Sequence, residues 1–294
     1  METLDRSHDI DSTVGYPAHV YQANGTSSLE TSNVQAEHTL DVYVDGKLSM
    51  RIVCTPTDLN ELVCGRLFTE GVIDSTDDID LIYLCEYSTK ARVLLRTKRA
   101  KLSDTPSPTV PTCCTGNKLY ATVERIDDEG LELSPVSPIP WKPEWIFALA
   151  RLFAEDTPMH QKTLGAHSCF LAVEGQVLYC CEDLGRHNAF DKAIGCALRD
   201  GVDLSKAIIY TSGRLPVDMV TKAIRARIPI LVSKAVPTDL TIELARRFDL
   251  TLICSARPDS MRVYHDPTRP IDQPEDSGRW KVPRLFDADV DIAP

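Results

Sequence analysis

Apolar and polar positions follow two periods along this chain, and the switches between them mark its elements. Val42 and Val44, then Leu48, Met50 and Ile52, alternate on either side of Asp45-Gly46 and predict a hairpin around a D-G turn. Leu59, Leu62 and Val63 share one helical face, predicting a helix over Asp58 to Phe68, capped by Thr57 and ended by Gly71. Ile79 to Tyr87 and Arg92 to Thr97 read as a second strand pair, and Leu119 to Ile126 as another strand. Helical spacing restarts over Trp145 to Phe153.

The second half repeats one plan. Apolar residues run from Val177 into Cys180, and a polar turn follows. Ala189, Phe190, Ala193, Ile194, Ala197 and Leu198 then form one helical stripe, with Asn188 as the expected N-cap and Gly201 beyond the far end. Strands are predicted over Ala207–Tyr210, Pro229–Val232 and Leu250–Cys254. Between them lie a helix with Pro216 in its first turn and a helix capped by Thr238. Such alternation predicts a largely parallel sheet with helices on its faces. The fold class is therefore α/β, or α+β overall: a smaller β-rich domain over 34–135, then an α/β domain over 136–265, with a proline-rich boundary at Leu133 to Pro143. Residues 1–33 are expected to be a flexible leader, residues 98–118 a mobile loop and residues 266–294 an extended tail.

Composition narrows the functional classes. A chain of 294 residues has room for about two domains. Its net charge of −11 argues against broad nucleic-acid binding, so any anion site must be a local cluster of cations. No apolar run reaches membrane-spanning length, and the polar first ten residues do not read as a secretory signal. Ten cysteines, mostly within predicted strands and helices, point to a reducing cytoplasm.

Candidate chemistry collects after the strands. The first predicted strand of the repeating plan is followed by Glu182, Asp183, Arg186 and His187, the second by Ser212 and Arg214, the third by Ser233 and Lys234, the fourth by Ser255 and Arg257. Ligands of open α/β sheets bind outside the carboxyl ends of the strands, so these side chains predict a site for a phosphate-bearing anion. Cys113 and Cys114, in a turn beside Gly116 and Asn117, are placed for access, where a thiolate can react. His167 and Cys169 read as a satisfied histidine beside a buried thiol in preference to a metal site, because a ligand set needs more partners at fixed spacing.

Several stretches resemble a known family. E-D-L-G-R-H-N-A-F-D-K (182–192), T-S-G-R (211–214), I-P-I-L-V-S-K-A-V-P-T (228–238), L-A-R-R-F-D-L-T-L-I (244–253) and T-P-T-D-L-N-E-L-V-C-G-R-L-F-T-E-G-V-I (55–73) are similar to the FdhD/NarQ formate dehydrogenase accessory sulfurtransferases. The resemblance covers about residues 37–265. It implies a C-terminal three-layer domain similar to the cytidine-deaminase fold. It also implies a cytoplasmic sulfur carrier, stoichiometric rather than multiple-turnover, that takes persulfide sulfur from a cysteine desulfurase. The sulfur goes to the molybdenum bis(molybdopterin guanine dinucleotide) cofactor of a formate dehydrogenase. A homodimer, guanine-nucleotide-type ligands and no permanent metal are implied as well. The family's cofactor-linked motif falls on Ser255, Ala256, Arg257, Pro258, Asp259 and Ser260. Two departures stand out: Cys113 and Cys114 are adjacent instead of forming C-x-x-C, and Pro258 stands where a glycine is expected after the arginine.

Rival readings follow from the same residues. A zinc deaminase needs H-x-E followed by P-C-x-x-C, and the chain has no C-x-x-C. A cofactor-sheltering chaperone without sulfur transfer fits the altered cysteine motif. A thiol–disulfide oxidoreductase fits less well, since neighbouring cysteines make a strained bridge.

Overall fold

The structure is a computed structural model and describes residues 1–5, 10–97, 109–110 and 133–269. Three strands open the chain: β1 (Glu2–Asp5), β2 (Thr13–Tyr21) and β3 (Ser27–Gln35). The expected leader over 1–33 is thus largely extended and paired. β2 and β3 match residue for residue from Thr13↔Gln35 to Tyr21↔Ser27. Both strands are almost wholly exposed. With no buried face, no clean apolar alternation is required of them, and the period-2 signal is weak.

The D-G hairpin forms as its pattern requires. β4 (His38–Val44) and β5 (Lys47–Cys54) flank Asp45 and Gly46, whose φ angles of 48° and 82° are the positive pair that a two-residue hairpin turn needs. After α1 (Leu59–Thr69) come β6 (Ile79–Leu84) and β7 (Lys90–Leu95). β8 (Thr109–Val110) falls inside the expected 98–118 loop and pairs with β5. These strands form a six-stranded sheet in the order β1-β6-β7-β4-β5-β8. The predicted strand at Leu119 to Ile126 lies outside the described residues.

The second half contains α2 (Pro143–Ala154), α3 (Pro158–Thr163), β9 (His167–Val173), β10 (Gln176–Asp183) and α4 (Arg186–Arg199). β11 (Ala207–Thr211), α5 (Val217–Arg225), β12 (Ile230–Ser233), α6 (Asp239–Arg247), β13 (Thr251–Cys254) and β14 (Arg262–His265) complete it. The sheet order is β10-β9-β11-β12-β13-β14. Only β11/β12 and β12/β13 are parallel neighbours, so the expected largely parallel sheet is mixed. β9 and β14 run against the rest, yet β10, β11, β12 and β13 all point the same way. Their carboxyl ends therefore share one edge, as the repeating plan demands. β9, running the other way, begins at that edge.

Strand alternation sends residues to two separate cores. Phe170, Ala172, Ile208, Tyr210, Ile230 and Val232 pack against Ile146, Leu149 and Phe153 of α2. Cys169, Leu171, Ile209, Leu231 and Leu252 face the other way, into one continuous core shared with α4, α5, α6, α1 and the first sheet. The chain is thus a mixed α+β protein whose two sheets are joined through helices.

The tightest part of that junction is the crossing of α1 and α4. A Cβ on Gly65 would lie 1.9 Å from the Asp191 carbonyl oxygen, and one on Gly195 would lie 1.9 Å from the Glu61 carbonyl oxygen. Both positions require glycine because backbone meets backbone there. Helix starts differ from the sequence expectation nearby. Asp58, in left-handed conformation, precedes α1, whereas the Thr57 hydroxyl accepts a hydrogen bond from Lys192 Nζ at 3.1 Å. Gly185 precedes α4, and Asn188 sits within its first turn. The Asn188 amide instead donates to the Val53 carbonyl and to Asp183 Oδ1. Thr57 and Asn188 are taken from capping by partners far away in sequence. Thr238 caps α6 as expected, accepting from Thr241 N.

Candidate anion-binding site

The turn after β10 is built around buried ion pairs. Asp183 is fully buried, with Lys192 Nζ 2.8 Å from its Oδ2. The same carboxylate accepts from Thr55 N at 3.0 Å, Gly185 N at 2.9 Å and Asn188 Nδ2 at 2.9 Å. Lys192 also donates to the carbonyls of Thr55 and Glu182. Every acceptor and donor of this pair is thereby used, which is the condition for charges to be tolerated in a core. Glu182 accepts from Met159 N, His160 N and the Thr157 hydroxyl, fixing the start of α3. Glu182 and Asp183 therefore hold the turn and α3 in place.

One turn further along α4, Asp191 is fully buried between Arg66 Nη1 at 3.1 Å and Lys222 Nζ, and it accepts from the Thr69 hydroxyl at 2.8 Å. Burial alone would raise the Asp191 carboxyl, but Lys222 and Arg66 hold it below its usual value. Burial, with Arg66 adding to it, pushes Lys222 down. His187 is buried with Nε2 2.7 Å from Asp218 Oδ2. A carboxylate only accepts, so Nε2 carries the proton. Burial lowers the His187 pKa, and the Asp218 bond only partly offsets this.

The strand-end loops are stitched to one another by backbone bonds. Ser212 N donates to Ser168 O, Lys234 N to Thr211 O, Ser255 N to Ala235 O and Ala256 N to Ser233 O. Ser233 is buried, donating through Oγ to Gly213 O at 2.7 Å and accepting from Ala235 N. Ser255 adopts φ 49° as the chain turns out of β13. Ala256 is buried, and its carbonyl accepts from the Tyr210 hydroxyl at 3.0 Å. Arg257, exposed, donates through Nη1 to the Lys234 carbonyl. Pro258, Asp259 and Ser260 form an exposed turn closed by Arg257 N donating to Ser260 O at 2.7 Å.

These loops and α3 enclose a cavity of about 510 Å³, walled by Thr157, His160, His167, Ser212, Lys234 and Arg257 among others. Its size suits a small-molecule site. Two cations, Lys234 and Arg257, share its wall with the Ser212 and Thr157 hydroxyls. His167 Nδ1 lies 3.0 Å from Ser212 Oγ, and burial, then the charge of Arg186, hold its pKa down. His160 Nδ1 lies 3.1 Å from Asp156 Oδ1. This arrangement offers positive charge and the Ser212 hydroxyl to an anion, with phosphate as the matching chemistry, whereas the Thr157 proton is already given to Glu182.

Of the residues singled out in the sequence, Ser212, Lys234 and Arg257 meet on this wall. Arg186 is buried with its stem beneath Gly213, where a Cβ would lie 2.6 Å from Arg186 Cδ. His187 sits behind the wall with Asp218. Arg214 is exposed in the next loop. Cys113 and Cys114 lie outside the described residues. Sequence reasoning missed Thr157 and His160. They reach the site because the antiparallel β9 starts at this edge and brings α3 with it. Pro158 after Thr157 marks a helix start, but nothing local ties that helix to Glu182.

The model of the FdhD/NarQ family matches residues 35–271. A Bacillus subtilis protein curated as "Sulfur carrier protein FdhD" is 31% identical over 251 residues, covering 85% of this chain and 94% of its own length. A Listeria innocua protein of the same name is 29% identical over 240 residues, covering 82% of this chain and 92% of its own. The crystal structure of a protein from Desulfotalea psychrophila, provisionally described as a formate dehydrogenase accessory protein, superposes with a TM-score of 0.70 at 24% identity. It covers 87% of this chain and 98% of that one. With the family model matching residues 35–271 and a relative 31% identical over 85% of its length, the chain belongs to the FdhD/NarQ family.

Proposed function

We propose that this protein is a sulfur carrier that serves a formate dehydrogenase. Cys113 or Cys114, as thiolate, attacks the outer sulfur of a cysteine desulfurase persulfide, and the desulfurase thiolate leaves. The sulfur is then passed to a bis(molybdopterin guanine dinucleotide) cofactor, bound as cargo. The strand-end cavity receives a phosphate-bearing, guanine-nucleotide part of that cargo. Lys234 and Arg257 face the phosphates, and Ser212 supplies a hydroxyl. Arg186 adds positive charge from beneath. A homodimer in the cytoplasm completes this reading. Its main support is the cavity with two cations on its wall in a chain of net charge −11, at the strand edge where such sheets bind ligands.

Two measurements test it. Guanosine diphosphate should bind the wild-type chain and bind Arg257→Ala at least about tenfold more weakly, a loss of about 1.4 kcal/mol. Equal affinity in both would remove the cavity from the scheme. Incubation with a desulfurase and cysteine should add steps of about 32 Da on the peptide holding Cys113 and Cys114. If nucleotide binds but no sulfur is gained, the protein is a cofactor-sheltering chaperone. That second reading is favoured by the adjacent cysteines.

A further inference from the structure

Eight cysteines fall among the described residues, all of them free. Cys54, Cys64, Cys169 and Cys254 are buried, with Cys169 opposite Cys181 across β9 and β10 and Cys64 near enough to Cys196 for their charges to interact. Cys181 and Cys196 differ, because their sulfurs lie 3.8 Å apart in an S–H···S contact. Cys181 stands near the end of β10, a strand at the edge of its sheet, and Cys196 lies on α4. Cys181 is buried and Cys196 half-buried, so a reagent meets Cys196 first. The contact also favours ionisation of Cys196, since the Cys181 thiol hydrogen-bonds to it. A disulfide has its sulfurs about 2.05 Å apart, and rotation of the two short side chains is the simplest way to close the remaining gap.

The two cysteines flank the turn and the first turns of α4. A bond between them would enclose Glu182, Asp183, Arg186 and His187 in one covalent ring. Cys180 is exposed and, by strand alternation, points to the face opposite Cys181.

We propose that Cys181 and Cys196 form a reversible redox site that fastens β10 to α4 across the turn behind the cavity. The co-reactant is a low-molecular-weight disulfide. Cys196 thiolate attacks one of its sulfurs, giving a mixed disulfide and one released thiolate. Cys181 gives up its proton and attacks the Cys196 sulfur, expelling the second thiolate. Two protein thiols are oxidised, one small disulfide is reduced to two thiols, and the protons pass to those thiols. This proposal stands apart from the sulfur-carrier reading and needs neither Cys113 nor Cys114.

The test treats the full chain with oxidised glutathione, blocks free thiols with iodoacetamide and digests with trypsin without reductant. Peptide 193–199 holds Cys196 as its one cysteine, and Cys113 and Cys114 fall together on another peptide. The expected product joins 193–199 to 163–186, with fragmentation placing the bond on Cys181 and dithiothreitol reversing it. Amide hydrogen exchange over residues 184–190 should slow at least about threefold on oxidation. In Cys181→Ser, Cys196 should stop as the glutathione adduct. The proposal is overturned if wild-type Cys196 remains alkylated, stays as the glutathione adduct, or is bonded to Cys180. Circular dichroism of Cys181→Ser checks that the fold is kept, and the wild-type peptide map decides the matter even if it is not.

Discussion

Lys192, Lys222 and Lys234 belong to the same half of the chain, but the structure gives them different work. Lys192 and Lys222 have no exposed surface and face Asp183 and Asp191. Lys234 is exposed on the cavity wall beside Arg257. In the first region, each charge was removed from water and returned to equilibrium by an opposite charge and several hydrogen bonds. In the second, the cations keep solvent access and can exchange water for a ligand. Motif residues in a conspicuous cluster therefore do not all line the cavity: much of E-D-L-G-R-H-N-A-F-D-K holds helices together, while the cavity-wall cations come from the later loops.

The comparison breaks most sharply at the helix crossing. Gly195→Val should prevent folding, with a loss beyond about 4–5 kcal/mol, because α1 cannot retreat from the Glu61 carbonyl without opening the shared core. Far-ultraviolet circular dichroism and denaturant titration would show it. A native-like melting curve would mean the helices do not cross as described.

Next in size is the buried pair. Asp191→Ala leaves Lys222 without its paired carboxylate and Arg66 with Glu70 alone, and should lower stability by about 3–5 kcal/mol in urea titration. Adding Lys222→Met should recover part of that loss, because one unpaired charge disappears with it. No recovery would show that the lysine is already relieved by another partner.

At the rim, the order reverses. Arg257→Ala should change stability by no more than about 0.5 kcal/mol while weakening guanosine diphosphate binding as above. A large fall in stability would place Arg257 with the buried charges.

The smallest effect concerns pH. Folding holds the His187 pKa below its unfolded value of about 6.5, so the unfolded chain takes up the proton first. The stability contributed by neutral His187 is whole above that pH and is lost as pH falls below it. The slope is at most about 1.4 kcal/mol per pH unit for one histidine. His167 and His265 shift in the same direction. His187→Gln should flatten the acid limb of a stability–pH curve, and an unchanged limb would assign it to other groups, His167 and His265 among them.

Element types were largely legible because they follow local periods. The D-G turn, the Thr238 cap, Gly71 and Gly201 after their helices, and the strands feeding Ser212, Lys234 and Ser255 stand close to where spacing put them. Capping at Thr57 and Asn188 was illegible, since Lys192 and Val53 compete for those side chains from far along the chain. The β2–β3 hairpin left little signal because exposed strands need no apolar face. β14 was hidden as well, a four-residue strand with an exposed and half-buried pattern.

By itself the sequence determined the alternation of strands and helices and the line of cations and hydroxyls after successive strands. These are written in nearest neighbours, where 2.0 and 3.6 residue periods act. The tertiary structure alone decided that β9 runs backwards and delivers His160 and His167 to the cavity, and that Asp183, Lys192, Asp191 and Lys222 are internal. Strand order and desolvation depend on partners more than a hundred residues apart, such as Thr55 and Asp183, and no local period encodes them.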